Sequence, residues 1–204
     1  MSKLTFHGPP QSSYMRTARW ACAEKGVEHD VVPMGDGYDK LHPWRKIPSM
    51  THGDLTLFET SAICRYIDEN FDGPPLMPTD AKERAIAEQW ISALNCYGYD
   101  SIVRGFALNH FIIPKLRGEE PNLEGLDDSI ARLKGDLEKI ESGFAGPWFV
   151  GDTLTLADLF LGPMLATASM IPAGKDAIEA CPKISKFLAA INDRGAYLSI
   201  QPQR

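Results

Sequence analysis

Every strand-like stretch of this 204-residue chain lies between Leu4 and Leu57, and beyond Asp72-Gly73-Pro74-Pro75 only helical periodicity remains. A sheet must bury at least one face against another layer. The strands therefore need a layer of their own, made in the first third of the chain, with a separate helical body behind it. Leu4-Thr5-Phe6 alternates as a short strand does. From Ser13 to Lys25 the residues Ala18, Ala21 and Cys22 recur at helical spacing, and Gly26 supplies a C-terminal stop. His29–Val32 reads as a second strand, parallel to the first through a crossover. Tyr38–Lys46 lacks clean periodicity and reads as a loop with one helical turn. Ser49–Thr51 and Leu55–Leu57 flank His52-Gly53-Asp54 as a hairpin, and Thr60–Asn70 places Ile63, Tyr66, Ile67 and Asn70 on one helical face.

This order, β-α-β then β-β-α, is that of a thioredoxin-like domain. The expected organisation is α/β followed by all-α: a thioredoxin-like domain over residues 1–72, a Gly-Pro linker over 73–79, and an all-helical domain over 80–204. In the second part Asp80–Glu83 resembles a capping box that opens a long helix through Ile86, Trp90 and Leu94. Pro114 is expected to kink or end the helical stretch beyond Leu94. Leu126, Ile130, Leu133, Leu137 and Ile140 form an amphipathic stripe closed by Gly143, and Ile184, Phe187, Leu188 and Ile191 form another. In Thr155-Leu156-Ala157-Asp158 each end can satisfy the other's amide, with Leu154 and Leu159 placed as a hydrophobic staple. Asp158 is read as structural.

A formal charge of -6 disfavours nonspecific nucleic-acid binding and an acidic membrane surface as partners. Met1–Gly8 has no apolar stretch behind a basic start, so no secretory signal is expected there. The longest uncharged stretch is broken by Pro163 and Pro172, which argues against a membrane span. Cys22, Cys64, Cys96 and Cys181 have neither metal-knuckle nor redox-pair spacing. Four reduced thiols, no metal and a cytoplasmic location are the expectation.

Four segments together resemble the glutathione transferase superfamily, the serine-type bacterial, phi and theta-like members above all. They are Ser12 to Val27, a serine before a helix ending Glu-Lys-Gly; Lys46-Ile47-Pro48; Phe58–Ile63 with Tyr66-Ile67; and Val150-Gly151-Asp152 with Thr155–Leu159. The resemblance spans nearly the whole chain. It implies a homodimer that uses glutathione as co-substrate and attacks a small hydrophobic electrophile. It puts the family's activating serine on Ser12, where a hydroxyl and nearby helix amides could lower a thiol pKa of ~8.5. The residues themselves leave open that Ser12 or Ser13 merely caps the helix, or that Ser13 or Tyr14 offers the hydroxyl. Pro48 matches the family's cis-proline, which implies pairing of the Ile47 backbone with the glutathione cysteinyl backbone. Glu59 and Thr60 match the γ-glutamyl site: helix amides for the carboxylate, Glu59 for the amino group. For the glycine carboxylate the candidates are Lys40, His42, Arg45 and Lys46, with Lys40 and Lys46 preferred. The electrophile site is expected along Tyr97, Asp100, Ile102, Arg104 and Phe106.

Departures from the family pattern support two other readings. Ser12-Ser13-Tyr14 is similar to the "S-S-C" of zeta-like isomerases, which use glutathione without consuming it, although Tyr14 replaces the cysteine and Arg16 stands where a tryptophan is expected. The unmatched glycine-end loop admits a non-catalytic interaction module.

Overall fold

The computed structural model describes residues 3–201 and divides the chain into two compact units. The first contains β1 (Leu4–His7), α1 (Ser13–Lys25), β2 (His29–Val32), β3 (Ser49–His52), β4 (Leu55–Phe58) and α2 (Thr60–Asn70). Its sheet runs β2-β1-β3-β4, with β1 and β2 parallel and both other pairs antiparallel. The βαβ-ββα expectation is met. Leu4 and Phe6 face the core on alternate positions, with Met50, Ile63 and Ile67 fully buried beside them. Each such side chain contributes ~1.5–3 kcal/mol of transfer free energy. Gly26 ends α1 at φ 66, a left-handed conformation that glycine adopts without a Cβ clash.

The first unit extends to Met77 and takes back residues from Asn192 onward. Residues 73–77, expected as linker, are tied down. The Lys25 ammonium, with a side chain only 3% exposed, reaches Asp68 Oδ1 at 3.2 Å and donates to the Pro74 carbonyl at 3.3 Å. The Leu76 amide donates to the same Asp68 oxygen at 2.8 Å. A short helix near the C-terminus packs on α1, so the helical unit spans Pro78–Ile191 and not 80–204.

That second unit holds α3 (Ala81–Ala93), a wide-turned continuation (Leu94–Ile112), α4 (Ile113–Leu116), α5 (Leu126–Ser142), α6 (Leu156–Ala168), α7 (Pro172–Glu179) and most of α8 (Pro182–Asn192). In the continuation amides bond five residues back, as Ile113 N–H does to Leu108 O. A Cβ on Gly105 would lie 2.8 Å from the Asp100 carbonyl, also five residues back. Pro114 does not end this path: the backbone stays helical through it, from Ile112 at φ -75 and ψ -47 into α4. The only strand-like pairings among the described residues here are two isolated bridges between Trp148 and Thr153. No helix among the described residues is long and apolar enough to cross a membrane.

Candidate functional site

Register brings four chain segments to one end of the sheet. His7 pairs with Val32 on one side and Ser49 on the other, and Ser49 pairs with Phe58. The loop 8–12, the loop 33–46, the Ile47-Pro48 bond and the start of α2 therefore all leave from the same edge. Gly8 N–H closes this end by donating to Val32 O at 2.9 Å. Gly8 itself holds φ 135, and a Cβ there would lie 2.9 Å from Ile47 Cγ2. Glycine thus lets the first loop meet Ile47.

Ser12 is the N-cap of α1, half-buried, and its side chain makes no capping hydrogen bond. Its carbonyl accepts from Arg16 N–H at 2.9 Å, and its amide donates to Pro9 O at 3.2 Å. Ser13, the first helical residue, is buried. No acidic residue occupies the first turn of α1 or of α2. The partial positive charge of the α1 start is left unneutralised by the chain, and at α2 the N-cap Glu59 brings a carboxylate that makes no capping bond.

Ile47-Pro48 is a cis peptide, Pro48 is buried, and Ile47 is half-buried. Glu59 is the N-cap of α2 at φ 66 and ψ 116, exposed, with no side-chain capping bond. A non-glycine residue there carries ~1–3 kcal/mol of backbone strain, a cost that concentrates at functional sites. Thr60 follows it, 7% exposed.

The loop 33–46 is organised by Tyr38 and by His42, a candidate that the sequence offers without preferring it. Tyr38 is buried; its hydroxyl donates to the Lys46 carbonyl at 2.6 Å and lies 3.5 Å from that of His7. His42 is 2% exposed, its ring 5.0 Å from Phe58, and its Nδ1 has no hydrogen-bond partner among the described residues. Burial pushes the His42 pKa down, against the pull of the Glu59 carboxylate and with the push of Lys46. Lys40 and Lys46 are both exposed. Lys46 and Glu59 are the charges that bear on His42, and Lys40 is not among them. The signal that singles out His42 is an apolar environment for a polar ring. That depends on Phe58 and Trp44 folding around it, which spacing alone does not reveal.

The stretch expected to meet the electrophile divides in two. Ile102 and Phe106 are fully buried core residues, while Tyr97 and Arg104 are exposed. Asp100 pairs with Arg132 at 2.7 Å and lies 3.7 Å from Arg104.

Comparison with known proteins agrees with this arrangement. The family model for "Glutathione S-transferase, N-terminal domain" matches residues 6–75, and that for the "C-terminal domain" matches residues 121–190. The chain is 33% identical over 162 residues to "Glutathione S-transferase 1" of Dianthus caryophyllus, covering 79% of this chain and 68% of that protein. It is 28% identical over 198 residues to "Maleylacetoacetate isomerase" of Rattus norvegicus, covering 90% and 88%. A solved structure of glutathione S-transferase III in apo form superposes with a TM-score of 0.88 at 26% identity, covering 100% of both chains. A four-stranded thioredoxin-like unit with two open helix ends at one edge, a helical second unit, and relatives matched along most of its length mean that this chain belongs to the glutathione S-transferase superfamily.

Proposed function

We propose that this protein binds reduced glutathione at the open edge of its first unit and transfers the thiolate to small hydrophobic electrophiles, with Ser12 stabilising that thiolate. The observation that carries the reading is a Ser12 hydroxyl that caps nothing, at an α1 start without acidic residues. A hydroxyl and helix amides favour the ionised form of a sulfur placed there. One pKa unit is ~1.4 kcal/mol, and a helix end plus one donor can supply one to two units. The Ile47 backbone, preceding Pro48, pairs with the cysteinyl backbone. The amides at Thr60 take the γ-glutamyl carboxylate, and Glu59 takes its amino group. Lys46, with Lys40 or His42, holds the glycine carboxylate. Residues of the helical unit line the electrophile site. The working protein is a cytoplasmic homodimer.

A second reading, a glutathione-dependent isomerase, draws support from the likeness to the rat protein named maleylacetoacetate isomerase. Ser12-Ser13 fits that reading; Tyr14 and the buried Arg16 depart from it. Turnover of maleylacetone without consumption of glutathione would favour it.

Isothermal titration with reduced glutathione, wild type beside Ser12→Ala, tests the main reading. Saturable binding to both, with thiolate absorbance only in the wild type, is the expected result. Equal thiolate absorbance in the two would remove Ser12 from the chemistry. No binding to either at millimolar glutathione would mean the fold serves as an interaction module.

A further inference from the structure

The last described residues lie along the helix that begins at Ser12. Arg194 Nε and Nη2 donate to the two Glu24 oxygens at 2.5 and 2.7 Å, a bidentate pair in which the Glu24 side chain is 5% exposed. Glu24 Oε1 also accepts from Trp20 Nε1 at 2.7 Å. The fully buried Tyr197, in α9 (Gly195–Ser199), packs its ring on that of Trp20 at 4.5 Å. Arg19 Nη1 donates to Ile200 O at 3.3 Å, and Arg16 Nη1 lies 3.5 Å from Gln201 Oε1. Residues 16, 19, 20 and 24 recur at three- and four-residue steps, so these contacts run along one face of α1 from its last turn to its first. They reach Arg16, whose amide bonds the Ser12 carbonyl.

We propose that residues 194–201 are a positioning strap for α1, with Arg194 and Tyr197 fixing the helix so that the Ser12 hydroxyl is aimed at the bound sulfur. The idea rests on the Ser12 reading above. It adds that the aim is set from a segment some 180 residues away in sequence. A displacement of about 1 Å at a reacting group can cost ~10²-fold in rate.

The test measures the pKa of the bound glutathione thiol from thiolate absorbance against pH, alongside the glutathione Kd. The double variant Glu24→Gln with Arg194→Gln removes both charges and leaves no buried carboxylate unpaired. It is expected to raise the bound-thiol pKa by about one unit, a tenfold loss of thiolate well below the pKa, with Kd changed less than ~2-fold. Arg194→Lys, which keeps the charge but loses the fork, should fall between the double variant and wild type. A merely structural strap would lower the melting temperature and leave the bound-thiol pKa where it was. That result in either variant overturns the proposal. Ser12→Ala in the parent chain separates the two ideas. If it leaves the bound-thiol pKa unchanged, both fail; if it raises the pKa while the strap variants do not, the strap alone fails.

Discussion

Helices α1 and α2 start open, whereas α3 and α6 start sealed. Ser12 and Glu59 make no side-chain capping bond, and no acidic residue occupies the first turn after either of them. Asp80 Oδ1 accepts from the Lys82 and Glu83 amides at 2.9 and 3.0 Å. Asp158 goes further. Its Oδ2 accepts from the Thr155 amide at 2.7 Å and the Thr155 hydroxyl at 2.9 Å, and its Oδ1 accepts from the Phe149 amide at 3.0 Å. A helix start exposes up to four amides with a net partial positive charge. At α3 and α6 the chain's own carboxylates cancel that charge. In the sheet unit the two starts without a side-chain capping bond lie at one edge, where an anionic peptide can take the free amides. Hydroxyl N-caps head both α1 and α6, so the residue type at the cap does not distinguish a site from a staple; what the hydroxyl is bonded to does.

The largest test of this contrast is Asp158→Ala. It strips the partner from two buried amides, Phe149 and Thr155, and unties the loop whose Phe149 ring stacks on Trp90 at 4.8 Å. Buried amides without a partner cost ~1–3 kcal/mol each, so a stability loss of ~3–5 kcal/mol is expected in urea unfolding. A loss below ~1 kcal/mol would mean that the sealed end holds nothing together.

The same carboxyl gives a pH signature of smaller size. Burial raises the Asp158 pKa to about 6 from an ordinary 3.8, although hydrogen bonds from Phe149 and Thr155 pull it down. The folded chain therefore holds this proton more tightly than the unfolded chain does. The contribution is fully present below 3.8 and is lost as pH rises through about 6, at most ~3 kcal/mol in all. Asp158→Asn removes the titration. The stability of wild type minus that of Asp158→Asn should fall between pH 4 and pH 7. A flat difference would show that folding leaves the pKa of this carboxyl unchanged.

Much of this was legible in the sequence where the signal was local. The strands, α1, α2 and the box at Thr155–Asp158 announce themselves through alternation, spacing and cap residues within a dozen positions. The Ser12, Ile47-Pro48 and Glu59-Thr60 segments could be ordered along the chain, but their meeting at one sheet end depends on the His7–Ser49–Phe58 register. Three things were hidden. His42 could be named as a candidate, but its enclosure by Phe58 and Trp44 could not. Lys25 and Asp68 draw the linker residues into the first unit, a pairing across 43 positions. Arg194 and Glu24 do the same for the C-terminal segment across 170. The last two are contacts between residues that look like ordinary surface charges until the chain has folded, and a boundary drawn from periodicity has no access to them.

The smallest expected effect is also the one that most sharpens the contrast between open and sealed helix starts. Asp80 is an exposed cap that accepts two amides, so Asp80→Ala should cost ~1 kcal/mol of stability. Ser12→Ala removes a hydroxyl that caps nothing, so its cost should stay within ~0.5 kcal/mol even though the site is half-buried. Denaturant midpoints at unchanged slope read both variants on one scale. Two equal losses would mean that Ser12 supports α1 as Asp80 supports α3, and the α1 start would then be an ordinary helix end. A silent Ser12→Ala beside a costly Asp80→Ala would mean that the first unit keeps a hydroxyl at a helix end where it contributes nothing to folding. A hydroxyl of that kind is left free to donate to a bound thiolate.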